Sequence, residues 1–469
     1  MTRLESLYVD VIDRVSEDES MFTTRSREGI FSPALTMWLM INGWAKGRRG
    51  LSAALDAITA EDASEVIALN NKTKRVRVTE VSMNSGGLSR ARQRLEGEKL
   101  RALVSRMNEV LISEVHEHLW HGRRVYLFDG TVIPLIRTEA TFGKFRPVRN
   151  QHRQAYTPVM LCGVCHELFS GIALSPRHGA YRGAEQTDEV RLCCEMIEDL
   201  PSQSLLIADR GLGIFPVAYE ATRQKHHVLV RLTSTRAKLL SGKNFHTAEY
   251  IDQAVTWKMK NTTRLTHLNI PADATVTGRF IKWTVKRNGY RPLELFFFTT
   301  SSESAEELVA LYQQRERIEN DIRTLKYTIG MERLFSKTPA MIAQELLLGV
   351  LAYNLIRVII AQAARELKLQ SRQISFTRAA RNIQIFGNKM RDAKGSAELK
   401  ALREHFLRIL RQTRIPDRGG QRIEPRKLTR EKQPYPPLKE SRKIEKEKAK
   451  AILAENGHRG YFTSVTRNY

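Results

Sequence analysis

The sequence predicts an α/β protein: a sheet-based core, interrupted by a β-rich insertion and flanked by helical regions at both ends. Three observations predict it. Residues 1–118 read as helical, and the pattern turns strand-like from Gly122. Two runs, Val125–Phe128 and Leu205–Ala208, are short and wholly apolar, as strands are when both faces are covered. From about 232 to 300, apolar and polar residues alternate as in half-buried strands. The expected divisions are therefore 1–118, an N-terminal helical region; 119–231, the first part of the core; 232–303, the insertion; 304–365, the rest of the core; and 366–469, a C-terminal helical region with a basic tail.

The chain has 469 residues, enough for two or three domains, and a formal net charge of +25 with a pI near 10.0. So large a charge of one sign points to a polyanionic partner. No run of about 18 apolar residues occurs, so no membrane span is expected. The first twenty residues are acidic and mixed, without the apolar core of a signal peptide, and a cytoplasmic protein is expected. The four cysteines, Cys162, Cys165, Cys193 and Cys194, suit a reducing compartment. Cys162 and Cys165 have half the spacing of a zinc knuckle, but no second pair completes it; structural thiols are expected.

In the N-terminal region, Leu35, Trp38, Leu39 and Ile41 form a buried stripe, followed by the cluster Lys46, Arg48 and Arg49. Residues 72–77 are basic, and a long helix opens near Ser89 with Arg90, Arg92, Arg94, Lys99 and Arg101 on successive turns, a pattern suited to phosphates. A solvated helix would look the same, but the global charge favours DNA binding by residues 1–118.

The core begins with Val125–Phe128, which ends in Asp129. An acid at the carboxyl end of a buried strand faces the crevice where sites collect in open α/β sheets. Residues 156–165 and 168–174 read as two strands around a tight turn at His166-Glu167. A helix is expected over 183–200, with Val190, Cys194 and Ile197 inward. Leu205–Ala208 ends in Asp209-Arg210-Gly211, and Val228–Val230 is a fifth strand. Taken singly, either Asp is more simply a cap or turn former. In the insertion, strands are expected around Ala254–Trp257, Arg264–Ile270, Arg279–Val285 and Leu293–Phe298, with an Asn288-Gly289 hairpin turn.

Residues 311–330, LYQQRERIENDIRTLKYTIG, read as one helix. Leu311, Ile318, Ile322, Leu325 and Ile329 fall within roughly a 60° arc and face a core. Tyr312, Arg315, Glu319 and Lys326 fall within a neighbouring arc, gathering a phenol, two cations and a carboxylate. Charge pairs on a solvated face are the plain alternative. Pro339 then opens a helix apolar nearly all round, expected to be buried.

The spacing Tyr312-x2-Arg315-x3-Glu319-x6-Lys326 resembles the Tyr-Arg-Glu-Lys signature of IS4-family bacterial transposases, whose Glu is the last carboxylate of a DDE triad. The order of three strands, helix, strand, helix, strand, with Asp on the first and fourth strands, resembles the ribonuclease H-like core of DDE transposases and retroviral integrases. The likeness extends through Glu345-Leu346 and Tyr353–Arg357, and more weakly to Ser89–Leu95. It implies that Asp129, Asp209 and Glu319 are the catalytic carboxylates and hold two Mg2+ ions, with Mn2+ as a substitute. Magnesium takes oxygen ligands, and a pair of ions activates and stabilises the two oxygens of an in-line displacement. Tyr312, Arg315 and Lys326 would hold DNA phosphates near the cut, with Arg210 and Arg323 as further candidates. An aromatic of the insertion would stack on a flipped base, Trp283 first and Trp257 second. Taken singly, either tryptophan is more simply a packing residue.

The resemblance further implies cut-and-paste transposition of double-stranded DNA through a hairpin, by a homodimer that pairs two element ends. Two alternatives stay open: a transposase-derived DNA-binding protein without catalysis, and a ribonuclease H-like nuclease without strand transfer.

Overall fold

The structure is a computed structural model that describes residues 3–15, 31–47, 50–59, 63–70, 84–115, 119–148, 157–183, 185–245, 248–259, 269–285, 293–415 and 441–455. Expectations for Arg48-Arg49, residues 72–77, residues 264–268, the Asn288-Gly289 turn and residues 416–440 lie outside these.

Among the described residues, six helices precede the sheet: α1 (Leu4–Val15), α2 (Pro33–Ala45), α3 (Leu51–Thr59), α4 (Ser64–Asn70), α5 (Gly86–Gln93) and α6 (Gly97–Ser113). The long helix expected from Ser89 is therefore two, broken where Glu96 adopts an extended backbone before Gly97. The core follows as β1 (Val125–Pro134), α7 (Glu139–Lys144), β2 (Val159–Glu167), β3 (Arg177–Ala180), α8 (Glu189–Ile197), β4 (Leu205–Ala208), α9 (Phe215–Arg223), β5 (His227–Arg231) and α10 (Ser234–Ser241). Next come β6 (Ile251–Lys258), β7 (Thr275–Val285), β8 (Leu293–Thr299), α11 (Ala305–Tyr312), α12 (Arg317–Arg323), α13 (Pro339–Glu366), α14 (Phe376–Arg391), α15 (Ser396–Gln412) and α16 (Arg442–Glu455).

Among the described residues, eight strands form one sheet in the order β3-β2-β1-β4-β5-β8-β7-β6. β1, β4 and β5 run parallel, and the others pair antiparallel. This is a ribonuclease H-like arrangement, and β6–β8 extend its sheet because β8 pairs directly with β5.

Three elements differ from the sequence reading. β1 does not stop at Phe128 but runs to Pro134, since β2 pairs with it over that whole length. β2 passes through His166 and Glu167, so the turn comes later: Glu167 accepts from the backbone N–H of Phe169 and Ser170, and Gly171 bends back at φ +78°. Ala173 makes only an isolated bridge to His166, and the true return strand is β3. The helix expected over 183–200 begins at Glu189, where the Asp188 carboxylate accepts from Arg191 N–H and caps it.

The core forms on both sheet faces, which is why its central strands are apolar without alternation. Val125 and Leu127 of β1, Leu205 and Ile207 of β4, and Leu229 of β5 pack with Leu308, Leu311 and Ile318 of the α11–α12 region. Tyr126, Phe128, Leu206, Val228 and Val230 face the other way, into the larger core that includes α8, α9 and the N-terminal helices. At roughly 1.5–3 kcal/mol for each large apolar side chain fully buried, these two layers dominate the stability of the sheet.

Helix α13 is long and apolar enough to cross a membrane by composition, but 94% of its most apolar stretch is buried inside the fold. It packs against α2, α6 and α14 and so joins the N-terminal helices to the core. The four cysteines are buried free thiols.

Candidate active site

Strand period decides where the acidic side chains point. Side chains two residues apart share a sheet face. Asp129 thus shares the face of Val125 and Leu127, and Asp209 that of Leu205 and Ile207, the face covered by α11 and α12. The two aspartates also lie level: Leu127 pairs with Ile207 in the parallel ladder, and each Asp is two residues further on. By the same rule Arg231 follows Leu229, and Trp283 follows Ile281, onto that face.

From above, the 311–330 segment meets this face, but not as one regular helix. It reads α11, a 3-10 turn over Gln313–Glu316, α12, then a π turn over Thr324–Ile329 that ends at Gly330 in the left-handed region. Leu311, Ile318, Leu325 and Ile329 are nonetheless buried as the stripe requires. Irregular turns of this kind occur often at functional sites.

Arg315 is the hinge of the arrangement. One guanidinium nitrogen lies 3.9 Å from Asp129 Oδ2 and the other lies 3.6 Å from Glu319 Oε1. Asp209 belongs to the same neighbourhood, for its charge acts on Asp129, Glu189 and Tyr312. Its Oδ1 accepts from Gly211 N–H at 2.8 Å and Leu212 N–H at 3.1 Å, which fixes the carboxylate at the strand end.

Burial pushes the Asp129 carboxyl up to about 6 against the pull of Arg315, with Asp209 and Glu189 adding to the rise. Burial likewise pushes Tyr312, 9% exposed, up to about 12, opposed by Arg315 and Arg231. The Tyr312 ring packs edge-on against Phe297, with centroids 4.8 Å apart. Lys326 is half-buried and its Nζ donates to the Val132 carbonyl of β1 at 3.2 Å; burial lowers its pKa.

Other expected residues are less central. Arg210 is exposed, but its charge reaches Tyr312 and Arg231. Arg323 is exposed and bonds Asn320 on its own helix; no contact draws it to the three carboxylates. Trp283 is partly buried with its ring edge-on to the exposed Tyr250. Trp257 packs against Phe215 and Phe298, as a filler does. In the N-terminal region, Arg92 donates to Ser336 and Arg101 to the Pro176 carbonyl, so both are held inside the protein. Arg90 and Arg94 remain exposed.

Two residues at the site escaped the sequence reading. Arg231 ends β5, and only its two-residue offset from Leu229 could have flagged it. Glu189 opens α8 and approaches β1 where Gly130 has no side chain; a Cβ there would stand 2.5–2.7 Å from the Glu189 side chain. No motif marks a carboxylate at a helix start, where it is ordinarily a dipole partner.

The donor chemistry fits a hard divalent cation: carboxylate oxygens, with mutual repulsion that such an ion would relieve. Among the described residues no group of three or more His, Cys, Asp or Glu is drawn together closely enough to hold a metal ion. Between Asp129 and Glu319 the positive charge is that of Arg315.

The family model described as the transposase DDE domain matches residues 120–355, half of the chain, and these residues include all three carboxylates and the 311–330 segment. Comparison with curated proteins gives no match.

Proposed function

The chain belongs to the transposase DDE domain family, a family of enzymes that act on DNA with divalent metal ions, and from that premise we propose that it is an insertion-sequence transposase of the IS4 type. It cleaves at the terminal inverted repeats of its element and transfers the freed 3′ ends into target DNA, through a hairpin and as a homodimer pairing two ends. The observation that carries this reading is Arg315, set between Asp129 and Glu319 at 3.9 and 3.6 Å from residues far apart along the chain.

Asp129, Asp209 and Glu319 would hold two Mg2+ ions, which when bound activate the attacking oxygen and stabilise the leaving one. The remaining work falls to the chain itself. Arg315 offers a planar fork to a phosphate and Lys326 a point charge. Arg231 and Arg210 add positive charge around Tyr312, whose buried phenol stays protonated and can donate to a phosphate oxygen. Trp283 lies on the same sheet face and offers a stacking surface for an unpaired base. The net charge of +25 supplies long-range attraction to DNA.

The test is incubation of the purified protein with duplex DNA bearing its element's ends and Mg2+, with products sized on a denaturing gel. A nick at each 3′ end, a hairpin and joined products support the reading. Cleavage without joining supports a nuclease, and retention of the ends without cleavage supports an inactive DNA-binding descendant.

A further inference from the structure

Asp321 lies two residues after Glu319 on α12 and is 1% exposed. Its Oδ1 accepts from Arg357 Nη2 at 2.9 Å and from Arg372 Nη1, and the Tyr353 hydroxyl lies 3.3 Å away. Arg357 and Tyr353 belong to α13, whereas Arg372 sits in the turn Ser371–Gln373. The same side chains reach the sheet. Arg372 donates to the carbonyls of Leu168 and Glu167 at 3.0 and 3.1 Å, and Tyr353 donates to that of Gly171 at 2.9 Å. One carboxylate thus ties α12 to α13, to the 371–373 turn and to the end of β2.

Helix α12 needs such a tie. It has seven residues, with a 3-10 turn before it and a π turn after it. Neither flank has the bond geometry that fixes the roll of a longer helix. A shift of one residue in register would turn the face of α12 by about 100°, carrying Glu319 away from Asp129. A buried carboxylate held by two guanidinium groups resists that roll, because any displacement leaves charges buried and unpaired.

We propose that Asp321 is the positioning residue for Glu319: clamped by Arg357 and Arg372, it sets the roll of α12 so that Glu319 and Arg315 face Asp129. The inference rests on reading Glu319 as a catalytic carboxylate. It also makes the C-terminal region part of the active site's support, since Arg372 lies in that region, beyond the residues matched by the family model.

The experiment compares the full-length wild type with Asp321→Asn, Arg372→Gln and Arg372→Lys. Mn2+ alone is titrated by electron paramagnetic resonance, and nicking of end-bearing DNA is timed separately. Asp321→Asn and Arg372→Gln are expected to lose about 10–100-fold in Mn2+ affinity and in nicking rate, as supporting groups around metal ligands do. Their retention of DNA should stay near the wild-type level, and Arg372→Lys, which keeps the charge, should recover most of both losses. Both neutral variants folded by circular dichroism, with wild-type Mn2+ affinity and nicking per folded molecule, would overturn the positioning role, whatever their melting temperatures. Should Asp321→Asn fail to fold, Arg372→Gln decides alone. A wild type that does not nick would instead overturn the reading of Glu319 itself.

Discussion

The Arg315 guanidinium lies 3.9 Å from the Asp129 carboxylate, although one residue sits above the sheet and the other within its longest-paired core strand. Glu319 stands 3.6 Å from the other side of the same guanidinium. Because the charge of Arg315 pulls the Asp129 pKa down, its removal has a directional signature. Arg315→Ala should cut the nicking rate by about 100-fold, on the scale of losing one well-placed charge donor. It should also move the acid limb of the pH–rate profile to higher pH. Arg315→Lys should leave that limb near its wild-type position while still slowing the reaction, since a point charge replaces a fork. Nicking rates measured from pH 5 to 9 check both.

Asp129 should be costly to the fold and needed by the chemistry. Its native carboxyl holds a proton up to about pH 6, whereas the unfolded chain releases it near the ordinary 3.8. The native state therefore binds more protons between these values, and its stability falls as pH rises through that window. A rise from 3.8 to about 6 corresponds to about 3 kcal/mol at most. Asp129→Asn should accordingly stabilise the metal-free protein by about 1–2 kcal/mol at pH 8, with the gain vanishing near pH 4, and should abolish cleavage. Thermal melts at the two pH values, with chelator present, test this.

Gly171 should tolerate no side chain. Its φ is +78°, and a Cβ would stand 2.9–3.0 Å from the guanidinium groups of Arg372 and Arg357. Gly171→Ala should destabilise the protein by about 2–4 kcal/mol, combining left-handed strain with displacement of buried ionic groups. Urea unfolding would register it as a lower midpoint at an unchanged slope.

The two tryptophans of β6 and β7 should separate by their effects. Trp257→Ala removes a ring packed on Phe215 and Phe298 and should cost about 2 kcal/mol of stability with little change in cleavage per folded molecule. Trp283→Ala should cost less stability and impair the steps that need an unpaired base. Melting curves paired with a gel that separates nicked from hairpin products distinguish the two.

Much of this site was legible because strand period and apolar runs are local signals. Leu127 and Ile207 announce buried strands, and two further residues bring Asp129 and Asp209 onto the face that α11 and α12 cover. The Tyr312 to Lys326 spacing was legible for the same reason, although the 3-10 and π turns that break the helix were not. What stayed hidden depends on tertiary contacts. The turn after β2 closes on the Glu167 carboxylate, and its carbonyls at Gly171 and Glu167 accept from Tyr353 and Arg372, which come from much later in the chain. Glu189 reaches the site only because Gly130 leaves room for it. Arg92 and Arg101 looked like phosphate contacts until Ser336 and the Pro176 carbonyl took their guanidinium groups.

The most direct measurement pairs DNA retention with cleavage for Glu319→Gln, beside the wild type, on duplex DNA carrying the element's ends in Mg2+. Glu319 is exposed and its substitution leaves the packed stripe of Ile318 and Leu325 untouched, so folding is not at issue. With Glu319 as the last catalytic carboxylate, retention of the ends is unchanged and no nicked strand appears on the denaturing gel. Nicking by Glu319→Gln at the wild-type rate would contradict that role.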